Sequence, residues 1–278
     1  MIKLFATDLD GTLLGSTHRV DETVISTIQE VLKNDRYFTI ATGRSYMEGF
    51  EPVEKEIYQI RQNGAVIFNP QGELIAQKTI DKEVLKAFLE ELSEYSLEYI
   101  DADKIYTLET EEQVISRMRR QLREFNRGDS LVETIIQENL QYLEAGCTKE
   151  YILSRNVDKV NFHKQKGANY QKLDEFILKY SDKIVDAASS DDMYEITDIH
   201  VNKGEAVKKL ANLLGVQCDE VAVYGDGGND LQMLDMFEHS YSPIDASAKA
   251  KSKAKNIIGP FADYSVCKHI LETISKKE

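Results

Sequence analysis

The chain has 278 residues, 42% hydrophobic and 29% charged, with a formal net charge of −14. That excess of acid excludes a general nucleic-acid binder, which needs a basic face, and the lack of any apolar run of about 18 residues excludes a membrane span. The first residues lead straight into an apolar segment rather than a basic leader, and Cys147, Cys218 and Cys267 show neither metal nor disulfide spacing, so a cytoplasmic protein with reduced thiols is expected.

In chain order, Ile2 to Thr7 reads as a buried strand that ends on Asp8-Leu9-Asp10-Gly11-Thr12. Two acids at i and i+2 leave a strand end on the same side. Unpaired, they repel and one takes up a proton. A hard divalent cation relieves the repulsion and leaves one carboxylate free to attack or to shuttle a proton. The bland reading is a strand-to-turn link with solvated aspartates. Val24, Ile25, Ile28, Val31 and Leu32 then give a helix one apolar face, with Asp21 as its N-cap. Tyr37–Ala41 is a second strand, closed by Thr42-Gly43-Arg44, where a hydroxyl and a bare backbone N–H can meet an anion. Up to about residue 80 the pattern predicts strand, helix, strand, helix, strand.

The middle of the chain reads as its own mixture: a helix over Val84–Glu94, short runs at Leu97–Ile100 and Lys104–Leu108, then helices over Glu111–Phe125 and Val132–Leu143. Lys159–His163 follows as a strand, Tyr170–Leu178 as a helix, and Ile184–Ala187 and Met193–Thr197 as strands. A stretch of this size cannot be a loop inside a compact domain. Arg117, Arg119, Arg120, Arg123 and Arg127 cluster on one of these helices. They are read as a solvated face paired with Glu111, Glu112 and Glu124.

Lys203-Gly204 opens a helix that continues through Glu205 to Leu214. A lysine there opposes the macrodipole preference unless it shares an anion with the helix N–H groups. Val221–Tyr224 is a further strand and runs into Gly225-Asp226-Gly227-Gly228-Asn229-Asp230, a combination suited to a cation and a phosphate. Asp226 is the natural third oxygen ligand, Asn229 can donate to a phosphoryl oxygen, and Asp230 can accept from Lys203 or hold the loop. These groups sit at the C-terminal ends of strands or at a helix start, the edge of an open parallel sheet where ligands bind. The expected fold is therefore α/β. A Rossmann-like parallel sheet core with helices on both faces is assigned to residues 1–82 and 199–278, and an inserted α+β domain to residues 83–198.

At these residues the chain resembles the haloacid dehalogenase superfamily of aspartyl phosphatases, in its Cof-like branch. The Asp8–Thr12 loop, the Thr-Gly-Arg, the Lys-Gly and the Gly-Asp-x-x-Asn-Asp match that family's four motifs in order and spacing. Asn63-Gly64-Ala65-Val66-Ile67 is similar to the stretch that precedes the cap. Near the C-terminus, Tyr241-Ser242-Pro243-Ile244-Asp245-Ala246 departs from the family's Ala-Met-Gly-Asn-Ala.

The resemblance implies a large cap over the insertion and Mg²⁺-dependent phosphoester hydrolysis through an aspartyl-phosphate. It makes Asp8 the nucleophile and Asp10 the general acid and base, the latter with its pKa pushed upward by Asp8. Mg²⁺ is then held by Asp8, the Asp10 carbonyl and Asp226. The phosphoryl oxygens are held by the Leu9 N–H, Thr42, Gly43, Lys203 and Asn229, with Asp230 in support. The implied partner is a small phosphorylated metabolite, without nucleic acid or membrane, for a monomer or homodimer. His18, His163, His200, His239 and His269 have no metal-ligand spacing. A phosphomutase using the same aspartates, or a regulatory homologue without turnover, are the alternatives.

Overall fold

The computed structural model describes residues 1–124, 129–165, 168–188 and 192–276. The chain divides into two compact units, one of residues 1–78, 187–189 and 200–278, the other of residues 79–186 and 190–199. In chain order the first unit begins with β1 (Leu4–Thr7), α1 (Glu22–Lys33), β2 (Tyr37–Ala41), β3 (Tyr58–Arg61), β4 (Val66–Phe68) and β5 (Leu74–Gln77). The second unit contributes α2 (Lys82–Glu91), β6 (Glu98–Ile100), β7 (Ile105–Tyr106), α3 (Glu111–Glu124), α4 (Asp129–Leu140) and β8 (Leu143–Glu144). It continues with α5 (Lys149–Ser154), β9 (Lys159–His163), α6 (Gln171–Lys179), β10 (Ile184–Asp186) and β11 (Met193–Asp198). The chain then returns to the first unit through α7 (Lys203–Leu214), β12 (Val221–Tyr224), α8 (Leu231–Met236), β13 (His239–Pro243), α9 (Ala248–Lys253), β14 (Asn256–Ile258) and α10 (Ser265–Ser275).

The first unit's sheet has the order β14-β13-β12-β1-β2-β3-β4-β5. It is parallel from β14 to β3, and β4 and β5 add an antiparallel edge. Side chains alternate across such a sheet, and β1 is buried on both faces. Phe5 points to the layer of α1 and α10, with Val24, Ile28, Val266 and Ile270. Leu4 and Ala6 point to the layer of α7 and α8, with Val207, Leu210 and Met233. Two helical layers on a parallel sheet give the doubly wound architecture.

The Asp21 carboxylate caps α1 by accepting from the backbone N–H groups of Thr23 and Val24, at 3.0 and 3.2 Å. The second helix expected before residue 80 is not formed. Residues 42–57 are turns, and β3 leads instead into a β4–β5 hairpin. Gly43, Gly49 at φ +82° and Pro52 account for this, since glycine and proline break a helix and supply turn conformations.

The second unit's sheet has the order β10-β11-β9-β6-β7-β8 and is antiparallel except between β7 and β8. Tyr99, Tyr106, Val160, Phe162 and Ile196 pack with α2, α5 and α6 on one face. The expected helix over 132–143 begins earlier and ends at Leu140, and the short α5 had no counterpart in the periodicity. Phe125 and Arg127 lie outside the described residues.

The arginine cluster also departs from expectation. Arg119 forks onto Glu133 of α4, at 2.7 and 2.9 Å. Arg117 is buried against Glu98 and Glu109, both outside its helix. Among the described residues no helix is long and apolar enough to cross a membrane.

Phe88 is fully buried on α2, with its ring centroid 4.4 Å from that of Phe176 on α6. Phe88→Ala is expected to cost about 3–5 kcal/mol in urea unfolding followed by tyrosine fluorescence, because the void cannot fully collapse.

Candidate active site

β12, β1 and β2 are adjacent and parallel, with Thr7 level with Tyr224 on one side and Ile40 on the other. The residues that follow these strands, Asp8, Thr42 and Gly225-Asp226, therefore emerge along one sheet edge. Asp8 donates its backbone N–H to the Tyr224 carbonyl at 3.0 Å, so the first loop is tied directly to β12.

That loop is closed on itself: Leu13 and Leu14 donate backbone N–H groups to the Asp8 and Leu9 carbonyls. Leu9 and Leu13 are buried in the core. Gly11 takes φ +79°, and a Cβ there would lie 2.5 Å from Asp226 Oδ2. Glycine is thus required twice, for the left-handed turn and for the approach of Asp226. The Thr12 hydroxyl donates to Asp226 Oδ1 at 2.7 Å, joining the two loops.

Lys203 lies at the start of α7 and is fully buried. Its Nζ is 2.5 Å from Asp8 Oδ1 and 2.7 Å from Asp230 Oδ1. The helix start is capped separately, by Asn202 Oδ1 accepting from the Glu205 N–H at 2.8 Å. The lysine is thus paired with two carboxylates. Asp230 also accepts, through Oδ2, the backbone N–H groups of Asp226 and Gly227 at 3.0 and 2.9 Å. Both its oxygens are occupied, and it shapes the loop that presents Asp226.

Carboxylate oxygens of Asp8, Asp226 and Asp230 lie within 4.8 Å of one another. Three carboxylates face one ammonium, an excess of two negative charges. Burial pushes the Asp8 carboxyl up to about 8; Lys203 opposes this, and Asp230 and Asp226 add to it. Burial, then Asp230, pushes Asp226 up to about 6, against the pull of the Thr12 hydroxyl. Burial pulls Lys203 down, but Asp230 and Asp8 outweigh it and hold the ammonium charged. A hard divalent cation fits this donor set, since oxygen ligands are what Mg²⁺ takes and its charge matches the excess. With Asp230 committed to Lys203 and its loop, Asp8 and Asp226 are the carboxylates left to hold the ion.

Asp10 is not one of the three clustered carboxylates, although its charge also pushes Asp226 up. Its oxygens accept from Arg44 Nε and a second guanidinium nitrogen at 2.8 and 2.6 Å, a bidentate fork. Thr42 is buried, and its Oγ1 accepts the Arg44 backbone N–H at 3.1 Å. Asn229 donates one amide N–H to Asn63 Oδ1 at 3.0 Å. Asn63 is itself buried, at φ +58°, and donates to the Ala187 carbonyl at 3.1 Å. Thr12, Arg44 and Asn63 carry contacts that no sequence pattern assigned to them, although each stands inside or beside one of the motifs. Their positions next to the motif residues were the only signal.

The family model of the haloacid dehalogenase-like hydrolases matches residues 5–270. Phosphatase YwpJ of Bacillus subtilis (strain 168) is 29% identical over 248 residues, which span 84% of this chain and 86% of that protein. A haloacid dehalogenase-like hydrolase from B. subtilis superposes with a TM-score of 0.77 at 25% identity, covering 97% of this chain and 99% of that one. TM0651 from Thermotoga maritima shares the fold, with a TM-score of 0.78 at 22% identity over 100% of this chain and 99% of that one. The chain belongs to the haloacid dehalogenase-like hydrolase family, in the Cof-like branch that its four motifs resemble.

The raised Asp8 and Asp226 carboxyls make stability depend on pH in a defined sense. Groups whose folded pKa lies above the unfolded value stabilise the fold fully below about pH 4 and lose that contribution as pH rises through 6 and 8. Without metal, Tm measured by calorimetry is expected to fall from about pH 5 to about pH 9, and Asp8→Asn to reduce the slope. Added Mg²⁺ is expected to raise Tm more at the higher pH, because only ionised carboxylates bind it. Gly11→Ala is expected to displace the Asp226 loop and to abolish that Mg²⁺ response.

Proposed function

We propose that the protein is a Mg²⁺-dependent phosphatase that hydrolyses small phosphorylated metabolites through an aspartyl-phosphate on Asp8. The observation that carries this reading is the gathering of Asp8, Asp226 and Asp230 around Lys203 at the C-terminal edge of the parallel sheet. Asp8 is held through Oδ1 by Lys203, which leaves Oδ2 to attack phosphorus. The P–O bond to the leaving group breaks as the Asp8–P bond forms, and water then attacks the same phosphorus to release phosphate and the free carboxylate. When bound, Mg²⁺ would supply charge screening between the attacking carboxylate and the phosphoryl group. Asp8, Asp226 and the Asp10 carbonyl would hold it.

Lys203 has a second task in this scheme: its charge neutralises one anionic partner whether Asp8 is free or esterified. Thr42, the Gly43 N–H, the Leu9 N–H and Asn229 align the phosphoryl oxygens, which is most of what phosphoryl transfer needs from an enzyme. Asp10 protonates the leaving alcohol and then accepts a proton from water. Since Arg44 grips both Asp10 oxygens, the fork must open for these transfers. Phosphatase activity also fits the relative YwpJ, which carries that name. The free cysteines Cys147, Cys218 and Cys267 suit a reducing, cytoplasmic setting.

Purified protein is expected to release p-nitrophenol from p-nitrophenyl phosphate only with Mg²⁺, and Asp8→Asn to abolish turnover. Asp10→Asn is expected to lower kcat by about 10²–10⁴-fold, the usual contribution of general acid–base catalysis. Turnover that survives chelation or the Asp8→Asn change contradicts this reading.

A further inference from the structure

The second unit encloses a cavity of about 490 Å³, a size in the roughly 300–1,000 Å³ range of small-molecule sites. Its floor is the face of the sheet opposite the helix-packed one. Glu98, Ile105, His163 and Met193 line it, while their chain neighbours Tyr99, Tyr106, Phe162 and Tyr194 are buried in the core beneath. Its roof is α3, whose lining residues Val114, Arg117, Met118, Gln121 and Leu122 follow the spacing of one helix face.

The polar groups on these walls define what can bind. Arg117 is buried and already neutralised: its guanidinium is 3.1 Å from Glu98 Oε1 and 2.9 Å from Glu109 Oε2. Two carboxylates against one guanidinium leave no positive charge to hold an anion. Glu98 Oε2 lies 3.9 Å from His163 Nε2, beyond hydrogen-bond distance. Gln121 Nε2 is buried and has no acceptor among the described residues. A buried N–H without a partner is costly, so an acceptor from a ligand is favoured there. Asn139, His163 and Asp192 complete the polar lining, so a second carboxylate again disfavours an anion, and Gln121 Nε2 and Glu98 Oε2 are the donor and acceptor on which the binding argument rests. The thioethers of Met118 and Met193 favour contact with an aromatic ring.

We propose that this cavity is a binding site for an uncharged aromatic molecule carrying a carboxamide-like pair, whose carbonyl accepts from Gln121 and whose N–H donates to Glu98. The site is separate from the phosphatase chemistry in its residues, and binding is read without turnover, so failure of one assignment leaves the other standing.

Benzamide and its anionic isostere benzoate are the probes, and methyl-¹³C-methionine NMR of the full chain is the readout. Met118 and Met193 signals are assigned through Met→Leu variants. Benzamide is expected to shift both signals saturably and to bind at least about tenfold more tightly than benzoate, a difference of about 1.4 kcal/mol. Gln121→Leu, which keeps the volume and removes the donor, is expected to weaken benzamide several-fold while the remaining methionine signals stay in place. Ile135→Phe, which fills the chamber from α4, is expected to remove the shifts from a folded protein. Equal binding of benzoate, unchanged affinity in Gln121→Leu, or no shift at either methionine would overturn the proposal.

Discussion

The buried Lys203 ammonium is the interaction on which the rest of the site depends. It sits 2.5 Å from Asp8 and 2.7 Å from Asp230, and among the described residues it is the one cation paired with the carboxylate cluster. Removing one partner of such a group leaves an uncompensated buried charge, so the three residues form a unit. The unit links distant segments of chain: the end of β1, the start of α7 and the loop after β12. Asp230 passes the constraint on to Asp226 through two backbone N–H groups, and Thr12 returns it to the first loop.

One lysine does not balance three carboxylates. The remaining charge is expressed in the raised Asp8 and Asp226 carboxyls, where burial outweighs the attraction of Lys203. A site in this condition favours any ligand that brings positive charge, and a cation paired with a phosphoryl group brings both charge and shape. The same arrangement that weakens the fold at high pH is the one that, in the proposed mechanism, prepares Asp8 as a nucleophile once a cation is present. Strain of this kind at a functional site is supported by the fully buried sheet on either side.

Much of this was legible in the sequence. Parallel strands that each end in a polar, glycine-rich turn must deliver those turns to one edge, so Asp8, Thr42 and Asp226 converge by topology alone. The details that escaped depend on loop conformation. Gln62 and Asn63 both take positive φ, +53° and +58°, which no periodicity announces and which swings the Asn63 amide onto Asn229. Asp10 was read with Asp8 because they are neighbours in sequence; the fork that Arg44 makes onto both Asp10 oxygens was not legible there. In the second unit the arginine-rich stretch concealed an apolar stripe. Arg119 faces outward to Glu133, whereas Arg117 lies on the same helix face as Val114 and Met118.

Burial holds the Asp8 carboxyl at high pKa, and in the proposed mechanism a divalent cation releases its proton. Following the carboxyl ¹³C signal of Asp8, in protein labelled at aspartate side chains, titrates that group directly. The account predicts a midpoint close to 8 without metal and one several pH units lower with saturating Mg²⁺. An Asp8 that titrates as an ordinary aspartate in the metal-free protein, or that ignores Mg²⁺, would contradict it.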